Sequence, residues 1–263
     1  MPELPDVAGF QAYFEDHAVG NTIEHVTVLD SRVLTDVTPQ SLGKRLHNAQ
    51  VTTTNRHGKY LFVGTSADNG WLVLHFGMTG YLEHYQENED PPKQTNVIFT
   101  FTNGAHIAYV NQRRLGEVTW ADTVATFVEA RELGPDALSD TLSPRQFADR
   151  LAHHRGMLKS ALMNQSIVAG MGNEWADETL FQCGLPPKTS LANLKPDDCE
   201  QIARTAQRIL RTGMRARCKS RPLPKHYLNA HRHKDDKCPK CGTDLTTVKV
   251  AGRTTFYCPK CQQ

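Results

Sequence analysis

Between Asn21 and about Trp120 apolar and polar residues alternate with period two through TIEHVTVLD, QVTTTNRHGKYLFVGT, GWLVLHFGMTGYLEHY and NVIFTFTNGAHIAYV. These runs are rich in Val, Thr, Ile, Tyr and Phe, with Gly and Asn-Gly breaks between them, which predicts an antiparallel β-sandwich. The period changes on either side of that region. Before it, DVAGFQAYFEDH suggests a helix led in by Pro5 and Asp6, because proline suits a first helical turn and Asp its cap. After it, ELGPDALSD carries turn chemistry, and Ser143-Pro144 pairs an N-cap with a first-position proline. In LKSALMNQSIVAGMGNEWADETLFQCGLPPKTS a helix is predicted to about Ser166, broken at Gly170 and Gly172, and resumed from Asn173 to near Gly184. A further helix follows Pro196, with Ile202, Ala206, Ile209 and Leu210 on one face.

The last predicted element is a hairpin, since TTVKVAGRTTFY alternates on both sides of Ala251-Gly252. Two CxxC pairs flank it. Cys238, Cys241, Cys258 and Cys261 supply four thiolates, the donor set of a closed tetrahedral zinc site with no open position for chemistry. A redox CxxC would come once, near a βαβ pattern. Cys183, Cys199 and Cys218 fall in predicted helices and read as ordinary buried thiols. Net charge is only +2, yet residues 201–263 hold 15 Lys and Arg against three acids, +12, leaving −10 for residues 1–200. A basic block on a near-neutral chain points to a polyanion contact in one region. No apolar run approaches 18 residues and no apolar leader is present, which reads as a soluble, cytoplasmic protein.

Pro5 and Asp6 are explained by helix initiation, but Pro2 and Glu3 are not. With Met1 removed, Pro2 presents a secondary amine beside a carboxylate, a candidate nucleophile with an acid/base. Asn173 and backbone amides at a helix start would suit a phosphate, although on these residues alone the stretch reads as an ordinary helix pair with a capping Asn.

MPELPD, HGKYL, the GMTG and NQRRLG turns, LGPDAL, NQSIVAGMGNEWADETLF and GRTTFYCPKCQ occur together and in this order. In that combination the chain resembles the formamidopyrimidine-DNA glycosylase/endonuclease VIII family over nearly its whole length. The resemblance implies an α+β multidomain fold. It would place an N-terminal catalytic β-sandwich with flanking helices at 1–133 and a linker at 134–142. A helix–two-turn–helix DNA-binding domain would follow at 143–222, then a basic segment and four-cysteine zinc finger at 223–263. It further implies one structural Zn²⁺, no organic cofactor, and a monomer acting on double-stranded DNA that carries damaged bases or abasic sites.

The implied activity is base excision followed by strand cleavage, with Pro2 as nucleophile, Glu3 as acid/base and Lys59 on a phosphate beside the lesion. Glu3 must then be buried, since an ordinary carboxylate near pKa 4 does not donate a proton at neutral pH. Asn173 and Arg253 would clamp flanking phosphates. Met78, Arg113 and Leu115 would fill the gap left by the extruded nucleotide, Arg113 offering donors to an orphaned cytosine. Asp6 stands where the family usually has Glu, as support to the site, and Leu115 where the purine branch usually has Phe. The stretch RCKSRPLPKHYLNAHRHKDDKC is shorter than the loop that closes over 8-oxoguanine in that branch, which puts 8-oxoguanine specificity in doubt. His231 replaces a common Tyr; with His226 and His233 it reads as solvated or phosphate-contacting. The alternative is a lesion- or abasic-site-binding protein of the same fold with reduced or lost catalysis.

Overall fold

The alternating runs become seven strands, β1 (Thr22–Val28), β2 (Ala49–His57), β3 (Tyr60–Thr65), β4 (Trp71–His75), β5 (Tyr81–Gln86), β6 (Thr95–Phe101) and β7 (Ala105–Val110), and an eighth, β8 (Glu117–Ala121), lies beyond them. Their order is β5-β7-β6-β1-β2-β3-β4-β8, with every pair antiparallel. β1 and β2 pair only at Thr22↔Gln50 and Ile23↔Ala49. The sheet bends there into two four-stranded halves. Val97, Phe99 and Ile107 of one half and Val51, Leu61 and Leu72 of the other share a single core. This is the expected sandwich, each fully buried aliphatic or aromatic side chain contributing about 1.5–3 kcal/mol. Helix α1 (Leu4–Ala18) adds Phe14 and Ala18 to that core, and α2 (Pro39–Leu46) adds Leu42 and Leu46. α3 (Val124–Ala130) follows β8.

The computed structural model describes residues 1–66, 70–233 and 235–263, so Lys234 of the basic stretch lies outside the described residues. The chain divides into two units: Met1–Pro2 with Asp6–Glu132, and Glu3–Pro5 with Leu133–Gln263. No helix among the described residues is long and apolar enough to cross a membrane.

In the second unit α4 (Pro144–Ala152) starts on a reciprocal Ser143–Gln146 capping box. α5 (Leu158–Met163) ends three residues before the predicted Ser166. Asn164 Oδ1 accepts from both the N–H and the hydroxyl of Ser166, a local turn that competes with the helix. α6 (Asn173–Cys183) closes on Gly184 in the left-handed conformation (φ +71°). α7 (Pro196–Cys218) packs Ile202, Ala206, Ile209 and Leu210 into one core with Trp175 and Ala176 of α6 and Phe147 and Leu151 of α4. Gly213 makes room for Trp175, whose ring would lie 2.1 Å from an added Cβ. The hairpin is β9 (Thr246–Val250) and β10 (Arg253–Tyr257), turned by Ala251 (φ +48°) and Gly252 (φ +72°), the signature of a two-residue primed turn. Of the three other cysteines, Cys199 is buried and Cys183 half-buried, but Cys218 is exposed at the end of α7. There the helix leaves the core, so the expected burial does not extend to it.

Candidate active site

Glu3 is 1 % exposed. Its carboxylate sits on the open N-terminus of α6, where Gly172 N–H (2.6 Å) and Trp175 N–H (3.3 Å) donate to Oε2 and Glu174 N–H (2.8 Å) donates to Oε1. These amides are the unsatisfied donors of a helix start, aligned with the positive end of its dipole. The glycines that broke the predicted helix are what admit this carboxylate. A Cβ on Gly172 would lie 2.5 Å from Glu3 Cδ, and one on Gly170 (φ +118°) 2.5 Å from Leu4 Cδ1. Leu4 N–H donates to Gly170 O at 2.9 Å, which fixes the strap. Glu3 is thus buried, as expected, but it is ringed by donors to its charged form, which oppose the effect of burial.

Asn173 sits beside this carboxylate. Its Nδ2 donates to Thr254 O of β10 at 3.0 Å, while its buried Oδ1 has no hydrogen-bond partner among the described residues. β10 is fastened further along α6 by a buried charge cluster. Lys159 Nζ and Asp177 Oδ1 are 2.7 Å apart, both side chains fully inaccessible. Lys159 also donates to the Thr255 hydroxyl. Asp177 Oδ2 accepts from Arg232 Nη1 at 2.7 Å and from Phe256 N–H at 3.2 Å. Burial pushes the Lys159 ammonium down from its usual range, opposed by the attraction of Asp177. Arg232 in turn lies over the Phe256 ring, 5.0 Å from its centroid. Arg253 is exposed at the start of β10.

The sulfurs of Cys238, Cys241, Cys258 and Cys261 lie within 4.8 Å of one another. Cys238–Cys261 and Cys241–Cys258 are 3.9 and 3.5 Å apart. Four sulfurs about 2.3 Å from a tetrahedral zinc would be about 3.8 Å apart, so the donor set fits one structural Zn²⁺. Cys238 N–H donates to Thr243 O at 2.7 Å and Cys258 N–H to Gln262 Oε1 at 2.9 Å, which orients the two CxxC turns.

The first unit carries the other candidate residues. Gly58 (φ +58°) and Lys59 form the turn between β2 and β3, closed by the His57↔Tyr60 pair. Lys59 is 8 % exposed, unlike a solvated turn lysine. It depresses nearby His75, whose pKa falls to about 4 chiefly through burial and then through the positive charges of Lys59 and Arg131. Met78 is half-buried, whereas Arg113 and Leu115 are exposed, Leu115 at 54 %. Their two turns are locked together beneath the side chains. Asn111 Nδ2 donates to Phe76 O (3.1 Å) and to Tyr109 Oη (3.2 Å), and Tyr109 Oη donates to His75 O (2.7 Å). Arg113 N–H donates to Thr79 Oγ1 at 3.3 Å, and a Cβ on Gly77 (φ +56°) would meet the Leu115 backbone at 2.4 Å. Asp6 lies in the first turn of α1 and Pro2 is half-buried behind an exposed Met1.

A sandwich, a helical domain whose helix start holds a buried carboxylate, and a four-cysteine hairpin stitched to that helix define a three-part zinc-finger protein. Three family models match these parts in order: the formamidopyrimidine-DNA glycosylase N-terminal domain (residues 1–118), its H2TH domain (133–221), and the zinc finger found in FPG and IleRS (235–263). The formamidopyrimidine-DNA glycosylase of Geobacter metallireducens is 32% identical over 269 residues, and that of Escherichia coli 31% over 273, each match covering 100% of both chains. The chain belongs to the formamidopyrimidine-DNA glycosylase family, DNA glycosylases of base excision repair. Lactococcus lactis Fpg in complex with DNA containing N7-benzyl-Fapy-dG shares the fold, with a TM-score of 0.88 at 24% identity over 100% of each chain. The same protein with abasic-site DNA gives 0.88 at 24% identity over 99% of each.

Sequence reasoning missed Lys159, Asp177, Arg232 and Thr255. The one local signal was charge in apolar company, Lys159 in LKSALM and Asp177 in WADETLF, and neither named its partner.

Proposed function

We propose that the protein is a bifunctional DNA glycosylase/AP lyase acting on duplex DNA with oxidised bases or abasic sites. The observation that carries this is the buried Glu3 carboxylate, fixed on the N-terminus of α6 and adjacent in sequence to Pro2. With Met1 removed, the Pro2 amine attacks C1′ of the damaged nucleotide. The N–C1′ bond forms, the glycosidic bond breaks, and the base leaves with a proton from water. The ionised Glu3 carboxylate takes the proton that the Pro2 nitrogen loses on bonding to C1′ and passes it to the sugar ring oxygen as the ring opens. A secondary amine gives an iminium that is charged without further protonation. It draws electrons from C2′–H, so that loss of that proton to water expels the 3′ phosphate, and a second elimination can release the 5′ phosphate. Water then hydrolyses the imine and returns the amine. Lys59, Asn173 and Arg253 hold the phosphates that keep the nucleotide extruded. Met78, Arg113 and Leu115 occupy the gap, and Asp6 orients the strap.

The test is borohydride trapping with mass-verified chain lacking Met1. The duplexes would hold an abasic site, 8-oxoguanine, a formamidopyrimidine or an oxidised pyrimidine. An adduct mapped to Pro2 is expected, and the lesions that trap name the substrate branch. Tight binding of the abasic duplex with no adduct from any lesion would leave a binding protein of the same fold.

A further inference from the structure

Residues 201–232 contain nine Lys and Arg and no acid. On α7 four of them, Arg204, Arg208, Arg211 and Arg215, follow spacings of four, three and four, so at 3.6 residues per turn they fall within an arc of about 60° and a length of about 16 Å. All four are exposed. Ile202, Ala206, Ile209, Leu210 and Gly213 point about half a turn away, into the core shared with α4 and α6. Arg208 lies near enough to the C-terminal end of α6 to act on Cys183, but the stripe as a whole is turned away from the α6 face that packs in the core. Arg204 is paired with Glu200, but among the described residues no carboxylate pairs with Arg208, Arg211 or Arg215.

A solvated helix face normally mixes signs, and like charges at i,i+4 destabilise a helix by a few tenths of a kcal/mol. Asp197 and Glu200 balance the N-terminal end of this face, but from Arg208 to Arg215 it keeps the repulsion, and it is Arg, not Lys, at every basic position of the stripe. The guanidinium fork matches phosphate oxygens in pairs, where an ammonium acts as a point charge. Successive arginines rise about 4.5–6 Å, against one phosphate per about 3.4 Å of axis on a DNA strand.

We propose that the outer face of α7 is a second phosphate-binding surface that holds the backbone of a DNA duplex other than the one engaged at α6. A glycosylase with two such surfaces can pass between DNA segments without full release. That use rests on the glycosylase reading, whereas the surface itself does not.

In the test, zinc-loaded full-length protein is saturated with an unlabelled short duplex carrying a stable abasic-site analogue. A fluorescent undamaged duplex is then titrated in and followed by anisotropy between 50 and 200 mM salt (concentrations chosen from the range of about 50–200 mM over which such contacts weaken). Capture is expected with a log–log salt slope of about −2.7, Arg208, Arg211 and Arg215 neutralising three phosphates. The R208A/R211A/R215A variant should bring that slope close to zero and reduce capture at low salt at least ~10-fold, with affinity for the first duplex unchanged. Alanine at exposed helical positions preserves the helix.

Three results would overturn the proposal: no capture by filled protein, equal capture by the variant, or equal weakening of the first duplex. Displacement of the labelled duplex by poly-glutamate at lower charge concentration than by unlabelled duplex would overturn it too, making the face one for acidic proteins. If the abasic duplex does not bind at all, the proposed function fails by itself. Titration of the labelled duplex onto free wild-type and variant protein then still decides the stripe.

Discussion

The neighbourhood of Glu3 and the paired turns that carry Met78, Arg113 and Leu115 are built on opposite plans. Around Glu3 the carboxylate, the Gly172 and Trp175 residues that donate to it and the Lys159–Asp177 pair are buried, and the zinc hairpin is fastened to the same helix. In the paired turns only the backbone and the Asn111–Tyr109 network are fixed, while Arg113 and Leu115 stand in solvent. The difference follows from the chemistry each would serve. A proton-transfer group needs fixed geometry and a dry surround, which dense hydrogen bonding supplies. A side chain that enters a gap in DNA has no partner until the DNA arrives, so only its base can be held in advance.

The largest break in this comparison should come from the metal. Cys238→Ser should release zinc and abolish DNA binding while the sandwich stays folded, read by zinc release, duplex titration and amide exchange in the first unit. Normal binding by the zinc-free protein would show that the hairpin is no clamp. Lys159→Met leaves Asp177 buried with one cation fewer. It should destabilise the second unit by about 3–5 kcal/mol in urea titration followed by hydrogen exchange. A loss under 1 kcal/mol (the level of about 0–1 kcal/mol typical of an exposed pair) would mean that the pair does not hold the hairpin to α6.

The first unit should respond to acid through His75. Its folded pKa near 4 lies below the unfolded value of 6.5, so the unfolded chain binds more protons between those pH values. Stability contributed by the neutral ring is complete above pH 6.5 and falls as pH drops towards 4, by on the order of 3 kcal/mol in total. Urea midpoints of wild type and His75→Phe across that window should converge as the pH falls; parallel curves would remove His75 from the account. The smallest folding effect is expected for Leu115→Ala, within about 0.5 kcal/mol, because more than half of Leu115 is already exposed. Its consequence should appear instead as weaker retention of the extruded state, read by fluorescence of a base analogue opposite the lesion.

How much was legible depended on whether the signal was local. The strands of 22–110 announced themselves by alternation, the helix at Ser143-Pro144 by its cap, and the metal site by two CxxC pairs, because each feature is set by neighbours within a few residues. The end of α5 was misjudged because the Asn164 turn looks helical in composition. Cys218 was misplaced because helical pattern does not say where a helix leaves the core.

By itself the sequence determined the three-part order, the zinc ligands, the unusual Pro2-Glu3 start and the family that the ordered motifs define. Only the tertiary structure decided that Glu3 rests on the amides of Gly172, Glu174 and Trp175, about 170 residues further along the chain. The same holds for Lys159, whose partners Asp177 and Thr255 lie 18 and 96 positions away. Periodicity and spacing report what a residue's own segment does. The partner of a buried charge is selected by which distant segments the core brings together, and no short stretch of chain encodes that choice.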